Sequence, residues 1–407
     1  MTRDRVLKHE LDEKAVDNFR EYLRIPSVHP NVNYDECVNF LKRQAGDLDL
    51  PLKIVELEAE KPIVIITWLG NDPTLPSIIL NSHMDVVPVF EECWTHPPFG
   101  AEKDEKGNIF ARGAQDCKGV GIQYLEAIRR LKAAGIRLLR NVHITYMPDE
   151  ETGGVYGMEQ FVHSQEFQAL NVGFAFDEGL PHPDDVIYIV YGERSIWQLT
   201  YHVNGAAGSS ELIPSGTAAE KLRIVLNRAM EYRQTQKEKL ESDASLTTGD
   251  VTTLNLTVMK GGCGSLGNIP DHLAISFDIR VSVTQDHEEM ESMLQGWCQE
   301  AGPGTFYEFR QKEPRTEPTL LNERNPWWTA LKTECDALGL NVKPVICPAA
   351  GDTRYLRRAG ITALGFAPLG NTPGRMHDHN EFQNEGVFLR GIDIYCRIIP
   401  AMANLLP

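Results

Sequence analysis

His83, Asp85, Asp116, Glu150, Glu151, Glu178 and His377 are the residues whose types and spacing could do chemistry. Most of them follow a short apolar run with the composition of a β-strand: Ile78-Ile-Leu before His83-Met-Asp85, Ile144-Thr-Tyr-Met before Glu150-Glu151, and Phe174-Ala-Phe before Asp177-Glu178. Asp116 closes the loop Arg112-Gly-Ala-Gln-Asp, and His377 lies in Met376-His-Asp-His379. The ends of strands in an open parallel sheet are where such folds place their sites. Carboxylates gathered there need positive charge to hold them, and a pair of divalent metal ions is the simplest source. The pattern therefore points to metal-assisted hydrolysis.

Each segment alone has an ordinary alternative. His83 and Asp85 lie on the same side of an extended segment, a spacing equally suited to a hydrogen-bonded loop. Asp116 precedes a helix and could be its N-cap, and Glu150-Glu151 could be a solvated turn. As a functional pair, one of these two acids would bind metal and its neighbour would move a proton. The shared position after a strand, repeated along the chain, favours the joint reading.

The elements that must bring these residues together follow from the apolar periodicity. Up to about residue 190, helices at 13–23, 34–47 and 120–134, the last closed by Gly135, alternate with strands at 63–69, 77–81, 142–147 and 172–176. This order predicts a doubly wound α/β domain with a mostly parallel sheet. From about Ser195 the order becomes strand 196–203, helix 217–241, strands 252–259 and 272–281, helix 287–300 and strand 305–310. That βαββαβ sequence predicts an inserted ferredoxin-like α+β domain. The α/β pattern resumes after Pro314 with a helix at 327–338, a strand at 361–366 and a helix at 387–405. Residues 1–194 and 315–407 are thus expected to form one discontinuous domain around an insert at 195–314.

At 407 residues two domains are expected in any case. A formal net charge of -17 disfavours nucleic acid and acidic membrane surfaces as partners. The polar start and the lack of a span-length apolar stretch lead to the expectation of a cytoplasmic protein. Eight scattered cysteines without a CxxC pair are expected to be reduced thiols. Gly262-Cys-Gly264-Ser-Leu-Gly267 matches GxGxxG, but a strand rather than a helix follows it, so no dinucleotide site is expected. HExxH, GxxxxGK[ST] and GxSxG do not occur.

Through Tyr22-Leu-Arg-Ile, Asn81-Ser-His-Met-Asp-Val-Val-Pro-Val, Ala111-Arg-Gly-Ala-Gln-Asp, Pro148-Asp-Glu-Glu, Thr217-Ala-Ala-Glu-Lys, Asn325-Pro-Trp-Trp and His377-Asp-His, the chain resembles the cytosolic aminoacylases. These lie within the dinuclear zinc peptidase family that also contains carboxypeptidase G and succinyl-diaminopimelate desuccinylase. The resemblance implies two Zn2+ per chain, one held by His83, Asp116 and Glu178 and the other by Asp116, Glu151 and His377. It implies that Asp85 orients His83 and that Glu150 is the general base. It further implies hydrolysis of N-acyl-L-amino acids by a homodimer, with a dipeptidase or carboxypeptidase activity as the alternative within the same chemistry. Arg354 occupies the position expected to bind the substrate carboxylate, with a surface ion pair to Asp352 as its alternative. Arg280 and Asn268 are further candidates for substrate binding.

Two segments depart from the family pattern. Ser209, in Gly205-Ala-Ala-Gly-Ser209-Ser, stands where the family has a histidine that reaches a dimer neighbour's oxyanion. Loss of one oxyanion donor costs roughly 10²- to 10³-fold in turnover. The Gly-rich loop before Asn268-Ile-Pro270 is one residue longer than the family's, which displaces Asn268. These departures lead to the expectation of reduced or altered activity, and they keep open a third reading: a metal-bound protein that binds acylated small molecules, or acts as a scaffold, without efficient turnover.

Overall fold

The computed structural model describes residues 3–406. Its first compact unit comprises Met1–Tyr191, Thr319–Pro344 and Gly351–Pro407. Its second comprises Gly192–Pro318 and Val345–Ala350.

An eight-stranded sheet organises the first unit, in the order Leu52–Glu56, Pro62–Trp68, Val142–Met147, Ser77–His83, Val172–Asp177, Thr362–Phe366, Ile187–Glu193 and Val342–Cys347. The four central strands, from Val142–Met147 to Thr362–Phe366, run parallel. Antiparallel pairs flank them, Pro62–Trp68 on one side and Ile187–Glu193 on the other. The doubly wound, mostly parallel α/β fold expected from the sequence is the fold observed.

Alternation along the strands sends their side chains into two separate cores. Ile78, Leu80, Ile144, Phe174 and Phe176 pack with Phe19, Tyr22, Leu125, Ile128, Phe388 and Tyr395. Those partners come from the helices Arg3–Leu23, Lys118–Ala133 and Glu385–Ala403. Ile79, Met147 and Ala175 face the other way, onto Met158, Phe161, Tyr355 and Leu356. With both faces covered, the loops beyond the strands' C-terminal ends are where polar groups can collect.

The second unit carries a four-stranded antiparallel sheet in the order Thr253–Gly261, His272–Val281, Ser195–Asn204 and Thr305–Lys312. Helices Ala218–Ser242 and His287–Ala301 complete the βαββαβ order. Trp197, Leu199, Tyr201 and Val203 alternate into a core with Leu222, Val225, Leu294 and Trp297. Thr217 caps the first helix through a reciprocal pair with Glu220. All eight cysteines are free thiols, and no helix among the described residues is long and apolar enough to cross a membrane.

Candidate metal centre

His83 ends its strand fully buried, and its Nε2 lies 3.0 Å from Asp116 Oδ1 and 3.5 Å from Glu178 Oε2. His377 lies on the other side of the same carboxylate, with Nε2 3.0 Å from Asp116 Oδ2 and 2.9 Å from Glu151 Oε2. Asp116 thus offers one oxygen to each imidazole, and each imidazole has one further carboxylate beside it. Glu150 Oε2 stands 4.0 Å from His83 Nε2. All six residues come from the first unit.

The local chain explains how these side chains converge. Glu150 and Glu151 open a short 3-10 turn after Val142–Met147, entered through Asp149 at φ 70° and left through Gly153 at φ 107°. Asp149 stabilises its own left-handed conformation by accepting Thr152 Oγ1 at 2.6 Å and Lys61 Nζ at 3.0 Å. Gly113, at φ 88°, turns the loop that ends at Asp116. The Lys118 ammonium anchors the start of the following helix by donating to the carbonyl of Ile25 at 2.7 Å. Asp116 does not cap that helix, whose N-cap residue is Cys117.

Electrostatics show what this cluster needs. Burial, then the neighbouring charge of Glu178, pushes the Glu150 carboxyl well above the usual carboxylate range. Burial and Asp116 do the same to Glu178 and raise Glu151. Asp116 is the exception: against its burial, hydrogen bonds from His377 and His83 hold it well below that range. The bonds to Asp116 and Glu151 lift His377 to about 10. Four acids competing for so little positive charge would be relieved by divalent cations. The donors fit such ions: Glu151 Oε1 and Glu178 Oε2 are buried without a hydrogen bond. Ligand atoms of His83, Asp116 and Glu151 lie within 4.8 Å of one another.

Two expected roles meet specific contacts. Asp85 is expected to orient His83, and His83 Nδ1 lies 2.9 Å from the Asp85 main-chain carbonyl and 3.8 Å from Oδ1. The carboxylate instead meets His29 Nε2 at 2.7 Å and accepts the backbone N–H groups of Glu150 at 3.3 Å and Glu151 at 3.1 Å. Arg354 is expected to bind the substrate carboxylate, with a surface ion pair to Asp352 as the alternative. It is only 3% exposed, and its guanidinium donates to the carbonyls of Gly351 and Gly153, both at 2.6 Å.

In the second unit, Ser209 and Asn268 face each other across a short antiparallel ladder, and Arg280 pairs with Asp278 at 2.8 Å. The sequence reading passed over Cys117, whose sulfur accepts the His83 N–H at 3.2 Å and lies among the potential ligand atoms of His83 and Glu178. It also passed over His29 and Glu381. Position next to Asp116 is the only sequence signal that marks Cys117.

Comparison with known proteins adds an independent line. Residues 79–401 match the model of peptidase family M20/M25/M40. Aminoacylase-1A of Rattus norvegicus is 47% identical, over 97% of each chain. Among solved structures, an M20 family metallo-carboxypeptidase from Sulfolobus solfataricus superposes with a TM-score of 0.74 at 20% identity, covering 96% of this chain and 99% of that one. A Bacillus subtilis protein described as a dinuclear metal binding peptidase of the M20 family gives a TM-score of 0.70 at 15% identity, covering 98% of this chain and 100% of that one.

Proposed function

Because the chain belongs to peptidase family M20/M25/M40, we infer that it is a metal-dependent hydrolase that cleaves N-acyl-L-amino acids into a carboxylate and a free L-amino acid. The observation that carries this conclusion is the 47% identity to an aminoacylase over 97% of both chains. The arrangement around Asp116 supports the metal-dependent chemistry.

His83, Asp116 and Glu178 would hold one divalent ion, and Asp116, Glu151 and His377 the other. The pair is read as zinc, whose preference for imidazole and carboxylate donors this set meets. Bound there, such ions would supply Lewis acidity and make a water acidic enough to attack near neutral pH.

The protein's own part is proton transfer and positioning. Glu150 is not needed as a ligand, so its carboxylate takes the proton of the attacking water and returns it to the leaving amine. Such transfer contributes roughly 10²- to 10⁴-fold. Asp85 and His29 hold the turn that presents Glu150, and Arg354 braces the same turn through Gly153. Arg354, Arg280 and Asn268 are the candidates for substrate binding, and Ser209 stands at the altered oxyanion position.

By resemblance to the aminoacylases, the proposal extends to a cytoplasmic homodimer, with the insert at 195–314 as its dimerisation domain and 1–194 with 315–407 as its catalytic domain. Release of free methionine from N-acetyl-methionine by wild type and Glu150→Gln tests the activity. The reading expects steady release by wild type and a drop of roughly 10²- to 10⁴-fold in the variant. Cleavage of dipeptides with N-acetyl-methionine untouched would make the protein a peptidase of the same family. Binding of acyl amino acid without release would make it a turnover-deficient binder.

A further inference from the structure

A carboxylate that the mechanism above does not use lies between the loop of Asp116 and the loop of His377. Glu381 is fully buried and follows His377 by four residues. Its Oε1 accepts the backbone N–H of Gln115 at 2.7 Å and of Asp116 at 3.2 Å. Its Oε2 accepts the N–H of Gly113 at 3.0 Å and Nη1 of Arg112 at 2.8 Å. All four donors belong to the turn that delivers Asp116.

The main chain and Gln115 repeat the connection. Ala111 donates its N–H to the carbonyl of Glu381 at 3.0 Å, and Phe382–Asn384 pairs antiparallel with Asn108–Phe110. Gln115 Nε2 donates to the carbonyls of Pro373 and Phe382, while its Oε1 accepts the N–H of Arg375 at 2.9 Å. Arg112 alone could neutralise the buried charge. The three amides go beyond that need, because each fixes a point of the Asp116 turn.

Apart from the contacts of its imidazole with Asp116 and Glu151, His377 lies open to solvent. Its side chain is 54% exposed, and its backbone sits at φ 60°, which is unfavourable for a residue with a Cβ. The place of its imidazole is set by where its loop is anchored. We propose that Glu381 is a positioning residue for the metal pair: its carboxylate clamps the Asp116 turn to the His377 loop and so fixes the spacing of these two ligands.

This inference rests on the reading of Asp116 and His377 as ligands, and the test separates the two. Zinc affinity is measured by chelator competition in wild type and Glu381→Gln, each shown to be folded by circular dichroism. The clamp predicts two zinc ions in wild type and binding weaker by roughly 10- to 100-fold in the variant. Two zinc ions in both proteins at equal affinity would overturn the clamp alone, whereas no zinc in wild type would bring down the metal reading and the clamp with it. Should Glu381→Gln fail to fold, amide hydrogen exchange in wild type decides. Slow exchange at Gly113, Gln115 and Asp116 in metal-free and metal-loaded protein alike supports the clamp, and fast exchange at these amides in the metal-free protein overturns it.

Discussion

His83 and Asp85 meet through the main chain: the imidazole Nδ1 lies 2.9 Å from the Asp85 carbonyl oxygen, nearer than either carboxylate oxygen. An Nδ1–H donated to that carbonyl would free the Nε2 lone pair for an ion held between His83, Asp116 and Glu178. The carboxylate of Asp85 is thereby released to hold the Glu150–Glu151 turn. Asp85→Ala is therefore expected to lower kcat by roughly 10- to 100-fold while leaving zinc content unchanged. Metal analysis alongside steady-state kinetics checks this. Loss of one zinc ion with normal kcat in the remaining loaded protein would return Asp85 to orienting His83.

Arg354 separates two roles by kinetics. A cation that binds the substrate carboxylate would, when replaced, raise KM and leave kcat close to normal. A brace on the carbonyls of Gly153 and Gly351 would act on kcat, because Gly153 closes the turn of Glu150 and Gly351 lies against Glu150 and Glu178. The geometry predicts that Arg354→Lys, which cannot make the same fork of bonds, lowers kcat by about tenfold with a small change in KM. A rise in KM alone would restore the substrate-binding role.

Ser209 tests whether turnover is limited by a missing oxyanion donor. Ser209→His is expected to raise kcat for N-acetyl-methionine by up to roughly 10²-fold, with Glu150→Gln in the same background abolishing the gain. An unchanged or lower kcat would show that this chain stabilises the oxyanion without that position.

Buried His143 gives the fold a dependence on pH. Burial in the central strand Val142–Met147 depresses its imidazole to about 4, and Nδ1 bonds Thr67 Oγ1 at 2.9 Å. The unfolded chain binds the proton near pH 6.5, which the folded chain refuses until about 4, so stability is lost as pH falls through that window. The contribution is of the order of 3 kcal/mol at most. Urea unfolding of wild type and His143→Gln between those pH values should show a shallower acid loss in the variant. Parallel curves would contradict it.

Much of this architecture is written locally. The strand Val142–Met147 and the helix starting after Thr217 follow from unbroken periodicity and an N-cap next to it, and Glu150 and Glu178 stand out because they follow strands. What escaped depends on partners distant in sequence. Glu381 meets Asp116 across 265 residues and His29 meets Asp85 across 56, and neither carries a local mark. Cys117 has the character of any core thiol until His83 is placed beside it. The strand Val342–Cys347 is hidden by Pro344, which breaks the pattern of a strand interior.

The claim on which the mechanism depends is that the acids and imidazoles around Asp116 hold two ions. Elemental analysis of purified, folded protein after dialysis tests it most directly. The account predicts about two zinc ions per chain, falling toward one when His377 is replaced by alanine. Fewer than about one divalent ion per folded wild-type chain, whichever metal is supplied, would contradict it.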